Sequence, residues 1–117
     1  MRVHAKLFIS SEKVDGLFGD GKWRLLKSVE KHGSIQKAAD ELGRSYRKAW
    51  GDIKRAEEGL GRQLVIKLRG GTNGGSTQLT DFGLQLLGAW KKYRSEVKSG
   101  MTKSYKKHLN NIVAPYK

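Results

Sequence analysis

The chain has 117 residues, with 24 Lys and Arg against 11 Asp and Glu and a formal net charge of +13. That length suits one domain around one modest core. Having no cysteine, it can form no disulfide and carry no thiolate chemistry or Cys-based zinc site. No apolar run approaches the ~20 residues of a bilayer span, and the N-terminus lacks a signal-type apolar stretch, so no membrane association and a cytoplasmic location are expected. The positive surplus calls for a polyanionic partner, nucleic acid first, with an acidic membrane surface or a ribosome as alternatives. Residues 91–117 alone carry 8 basic side chains and 1 acidic one, which fits either a solvated basic end or extra phosphate contact.

Val3, Ala5, Leu7 and Ile9 alternate with polar positions, and the period of two predicts a strand over residues 3–9. Gly16, Gly19 and Gly21 mark a turn region. Lys22 to His32 reads as a helix with Leu25, Leu26 and Val29 on one face, closed by Gly33. Ser34 is placed to cap the next helix, in which Ile35, Ala38, Ala39 and Leu42 recur at helical spacing. After Gly43, Ser45 is a second cap. Ala49, Trp50, Ile53, Ala56 and Leu60 then repeat the period. Residues 34–60 therefore contain helix, tight glycine turn and helix, a spacing that fits a helix-turn-helix unit and equally any helical hairpin.

Charge separates the two. At ~100° per residue, with Ile53 at the centre of the buried stripe, Arg44, Arg47, Lys48, Gly51 and Arg55 face outward and Lys54 lies to the side. An ordinary solvated face mixes signs, whereas this one is nearly all positive, and Gly51 allows close backbone approach. Residues 64–68 and 77–79 predict two short strands around the glycine-rich loop 69–76, a hairpin placed as a wing with Lys67 and Arg69 at its base. A merely flexible surface loop has the same composition. A nucleotide-phosphate loop would need a Gly-Lys-Ser/Thr ending, which is absent.

Thr80 caps a final helix carrying Phe82, Leu86, Leu87, Trp90, Tyr93 and Val97. This is more apolar surface than one small core covers. A homodimer would bury it, as would Met101 to Ile112 folding back as a weaker helix beyond an interruption at Gly100. The expected organisation is a domain over residues 1–98 and a basic extension over 99–117. His4, His32 and His108 have no metal-ligand spacing, no nucleophile motif surrounds any Ser, and the adjacent Glu57 and Glu58 point ~100° apart on a helix. No catalytic residue, metal or cofactor is expected, and the chain is not read as an enzyme.

With these segments placed, the sequence resembles the N-terminal DNA-binding domain of the molybdate-responsive ModE family, within the LysR-type winged-helix group. The residues carrying the resemblance are Gly33-Ser34-Ile35 with Ala38-Ala39, Ser45-Tyr46-Arg47-Lys48-Ala49-Trp50, the Gly-Gly wing, and Leu79-Thr80 with Gly83. It implies an α+β, mainly α fold: a winged helix-turn-helix with an N-terminal strand, a hairpin wing and a long C-terminal helix. It implies a transcription regulator in which residues 45–60 are the recognition helix and 67–77 the wing. The expected contacts to double-stranded DNA are Ser34, Gln36, Arg44, Ser45, Tyr46, Arg47, Lys48, Gly51, Lys54, Arg55, Lys67, Arg69, Thr72 and Asn73. Tyr46 lies near the buried stripe but in the first turn, within reach of a phosphate. The early strand and final helix are expected to join a homodimer through Leu7, Phe82, Leu86, Trp90, Tyr93 and Val97. Full-length molybdate regulators add an oxyanion-binding domain, for which residues 99–117 leave no length, so a stand-alone DNA-binding domain is expected. A nucleoid-type architectural protein is the alternative. An RNA-binding protein would more usually show aromatics on a sheet, whereas Trp23, Trp50 and Trp90 fall in helical segments.

Overall fold

The computed structural model describes residues 2–68 and 76–114. In chain order these form β1 (Phe8–Ile9), β2 (Phe18–Gly19), α1 (Asp20–His32), α2 (Ile35–Glu41), α3 (Tyr46–Leu60), β3 (Val65–Leu68), β4 (Ser76–Leu79), α4 (Asp81–His108) and α5 (Asn110–Val113). The result is the expected mainly helical α+β winged helix-turn-helix, with two separate two-stranded antiparallel sheets.

The core is built where α1, α2 and α3 cross. Leu25, Leu26 and Val29 of α1, Ile35, Ala38 and Ala39 of α2, and Ala49, Ile53 and Ala56 of α3 are buried together. The two alanines of α2 are fully buried, and their small side chains let the helices approach closely. Both helix starts follow the local rule. The Ser34 hydroxyl accepts the Lys37 amide and the Ser45 hydroxyl accepts the Lys48 amide, each at 3.1 Å. Gly33, Gly43 and Gly61 turn the chain with positive φ.

The wing is fastened to this unit from two sides. Val65 of β3 pairs with Leu79 of β4, and the Thr77 amide donates to the Gly33 carbonyl at 2.9 Å. Beneath the hairpin, the buried Glu57 carboxylate accepts the Leu64 and Val65 amides at 2.7 and 3.2 Å.

Three expectations are corrected. The N-terminal strand is two residues long rather than spanning 3–9. Its partner is Phe18–Gly19, inside the segment read as a turn, and Phe8 and Ile9 are exposed while Leu7 packs on the core. The first helix begins at Asp20 rather than Lys22. Gly100 does not interrupt the last helix, which runs unbroken over 28 residues. A glycine costs a helix interior only about 1 kcal/mol, too little to stop a helix among Lys98, Met101 and Lys103.

Asp20 ties three parts of the chain together. Its carboxylate accepts the Leu7 amide at 3.0 Å, the Trp90 indole N–H at 3.0 Å and the Arg94 Nε at 2.7 Å. The N-terminal segment and α4 thus meet at the first residue of α1. Burial alone would raise its pKa. The hydrogen bonds from Leu7, Trp90 and Arg94, with the Arg94 charge, outweigh that and hold the carboxyl below its ordinary value.

Candidate nucleic-acid interface

The outer surface of α3 has three strips. Along its middle, at ~100° per residue, lie Arg47, Gly51 and Lys54. Arg47 is exposed, and its side chain makes no hydrogen bond or ion pair among the described residues. A Cβ added at Gly51 would meet only the Arg55 guanidinium, at 3.8 Å. The chain's own packing therefore does not demand glycine there, and the gap is open to an approaching partner. Lys54 pairs with Glu57 at 3.2 Å and lies 4.5 Å from the centre of the Trp50 ring.

The strip facing the wing is aromatic. Lys67 of β3 reaches across to donate to the Tyr46 hydroxyl at 2.9 Å, and its ammonium stands 4.4 Å from the Trp50 ring centre. Tyr46 is half-exposed and Trp50 half-buried. One lysine thus couples the wing to the first two turns of α3 by a hydrogen bond and a cation–π contact.

The opposite strip is organised by Asp52. This buried carboxylate lies 2.9 Å from Lys48, 2.6 Å from Arg55 and 3.9 Å from Arg44. Asp52 was not among the expected site residues, although it stands at ion-pairing distance along the helix from both Lys48 (i, i+4) and Arg55 (i, i−3). Arg44, expected to face outward, instead donates to the Gly21 carbonyl at 3.3 Å and is largely covered. The turn preceding α3 carries it back onto α1. Lys48 and Arg55 remain exposed, and each keeps N–H groups that Asp52 does not use and that can be offered to a phosphate.

Lys22 of α1 also stands in this group. Its ammonium donates to the Gly16 carbonyl at 2.8 Å. Burial lowers its pKa; attraction to Asp52 opposes that, and repulsion from Arg55, Lys48 and Arg44 adds to it. Neither Lys22 nor the nearby Lys6 was singled out in the sequence, because their place depends on how α1 docks on α3.

Of the other expected contacts, Ser34 and Ser45 serve as helix caps, and the exposed Gln36 donates to Asp40 at 3.0 Å. Arg69, Thr72 and Asn73 lie outside the described residues. On α4, Trp90 is only 5% exposed. It packs edge-on to Phe18 at 5.2 Å and is core of its own chain rather than an exposed interface residue. Leu7, Phe82 and Leu86 are partly buried against the core, Val97 is half-buried, and Tyr93 is exposed. Among the described residues no group of His, Asp and Glu is placed to hold a metal ion, and no helix is long and apolar enough to cross a membrane.

Comparison with known proteins agrees with this architecture. The DNA-binding domain of BenM in complex with benA site 1 DNA superposes with a TM-score of 0.56 at 26% identity, covering 74% of this chain and 91% of that one. The molybdenum transport protein ModE of Azotobacter vinelandii is 33% identical over 111 residues, 95% of this chain. The DNA-binding transcriptional dual regulator ModE of Escherichia coli K12 is 31% identical over 86 residues, 73% of this chain. The chain spans 40% and 33% of the lengths of these two relatives, which bear out the resemblance to ModE. The model of the bacterial regulatory helix-turn-helix protein, lysR family, matches residues 21–84, the stretch that holds α1, the helix-turn-helix and the hairpin, and the chain belongs to that family.

Proposed function

We propose that this chain is the DNA-binding part of a ModE-like transcription regulator. It acts in the cytoplasm and reads a specific duplex sequence with α3 in the major groove and the hairpin alongside. The observation that carries the reading is the outward strip of α3. An arginine whose side chain is unpaired among the described residues stands in the first turn, where helix-turn-helix proteins reach base edges, and a glycine one turn later leaves room for the groove wall. Arginine paired to guanine through two hydrogen bonds discriminates by about 1–3 kcal/mol. Lys48, Lys54, Arg55 and Lys67 supply sequence-independent attraction to phosphates. The BenM domain, of the same fold, is bound to DNA in its crystal structure.

Arg47→Ala should therefore weaken binding to a selected duplex by about 1–3 kcal/mol and cost markedly less on random duplex. Equal losses on both, measured by fluorescence anisotropy, would reduce Arg47 to a phosphate contact and favour a low-specificity architectural protein.

The same reading includes a homodimer through α4. With Trp90 inside the monomer, the apolar surface in question is exposed Tyr93 and half-buried Phe82, Leu86 and Val97. A two-fold pairing would cover these and present two recognition helices to half-sites about 34–36 Å apart. Sedimentation equilibrium at tens of micromolar should give a dimer, and Tyr93→Glu a folded monomer. A wild-type protein that stays monomeric both free and on DNA contradicts the dimer.

A further inference from the structure

Beside α3, on the flank away from the wing, a cleft of about 500 Å³ opens between the N-terminal segment, the start of α1 and the first turns of α3. Lys6, Gly21, Lys22, Arg44, Lys48 and Asp52 are among its lining residues. Three carboxylates, Asp15, Asp20 and Asp52, share the wall with the four cations Lys6, Lys22, Arg44 and Lys48; the exposed Asp15 accepts the Ser10 hydroxyl at 2.7 Å and is paired with no cation among the described residues. Asp52 is already shared by Lys48, Arg55 and Arg44, and Asp20, also at the wall, is occupied by its three donors. Lys22 uses one of its three N–H groups on Gly16, and Lys6 is exposed at the mouth. The first turn of α1 borders the cleft at Gly21 and Lys22, and the glycine preceding it provides no side-chain cap. Crowded cations with so few unshared carboxylates repel one another, and an anion entering the cleft relieves that repulsion.

We propose that the cleft is a phosphate site, receiving one backbone phosphate of the duplex on the α1 side of α3, with Lys22 and Lys48 as the charged donors and Lys6 at its mouth. The proposal rests on the reading of α3 as a groove-bound helix. A helix lying in a major groove is flanked by a sugar–phosphate backbone on each side. The wing, with Lys67, stands on one flank of α3, and this cleft stands on the other, where no contact was expected from α1 or from the N-terminal segment. A backbone phosphodiester carries one negative charge shared by two unesterified oxygens, and Lys22 from α1 and Lys48 from α3 line the cleft from two sides to meet them.

The test is the salt dependence of duplex affinity. Lys22→Met keeps the apolar stem and removes the charge. It should lower the slope of log K against log salt by about one unit on selected and random duplex alike, leaving their affinity ratio unchanged, while Lys22→Arg keeps the slope. Should Lys22→Met fail to fold, as judged by its thermal melt, Lys6→Ala at the exposed mouth decides, with a reduced slope expected. A wild-type slope in the deciding variant overturns the proposal. A wild-type slope together with movement of the Lys22 side-chain NMR signal on adding inorganic phosphate also overturns it, showing that the cleft takes a free anion. A wild-type chain with no duplex affinity at low salt is a different result: it removes the DNA reading itself, and this site with it.

Discussion

Asp20→Ala is expected to destabilise the fold by about 3–5 kcal/mol, the range for removing one partner of a buried ion pair. The loss is large because three donors are stranded at once. The Leu7 amide, the Trp90 indole and the Arg94 guanidinium all point at this carboxylate, and a buried donor left unpaired costs about 1–3 kcal/mol on its own. The carboxyl titrates below its ordinary value in the folded chain. Its contribution is therefore present in full above the aspartate pKa of the unfolded chain and is lost as pH falls through the lower folded value. Chemical denaturation should show wild type and Asp20→Ala far apart at neutral pH and converging in acid. A difference below about 1 kcal/mol at neutral pH would mean that the three donors find other acceptors.

Gly83→Ala should also destabilise, by about 1–3 kcal/mol or more, against the usual trend for a helix. Alanine gains about 1 kcal/mol over glycine in a helix interior. At Gly83, however, the new Cβ would stand 2.4 Å from the Leu64 carbonyl oxygen. That oxygen cannot easily retreat, because it accepts the Thr80 amide at 2.9 Å, and the Thr80 hydroxyl in turn donates to the Gln63 carbonyl and caps Gly83. Overlap with fixed backbone outweighs the gain in propensity. Gly100→Ala on the same helix is the control: nothing lies within 4 Å of its added Cβ, so this substitution should stabilise by about 1 kcal/mol. Thermal melts in which the two alanines act alike would contradict the close contact at Gly83.

What could be read in advance was local. Ser34 and Ser45 bond amides three residues ahead, and Ala38, Ala39, Ala49 and Ile53 follow helical spacing, so the helix-turn-helix was visible from neighbours in the chain. The N-terminal strand misled because alternation over residues 3–9 suits any extended segment, and its length is set by its partner. That partner, Phe18–Gly19, was hidden by a glycine that is needed for contact rather than for turning: a Cβ at Gly19 would sit 2.5 Å from that of Phe8. Trp90, Arg44, Asp52 and Lys22 were misplaced or missed for a common reason. Each acts across elements distant in sequence, and periodicity along one helix says which face a residue occupies but not what lies opposite.

Sequence-specific recognition of duplex DNA by this chain is decided by competition binding. A labelled duplex selected from a random pool is bound by the wild-type chain, then challenged with unlabelled selected duplex, random duplex and single-stranded RNA at one fixed salt concentration. The selected duplex should compete at least 10³-fold better than random duplex, the lower end of the range for specific sites, and RNA should compete no better than random duplex. Equal competition by selected and random duplex, or stronger competition by RNA, would contradict sequence-specific recognition.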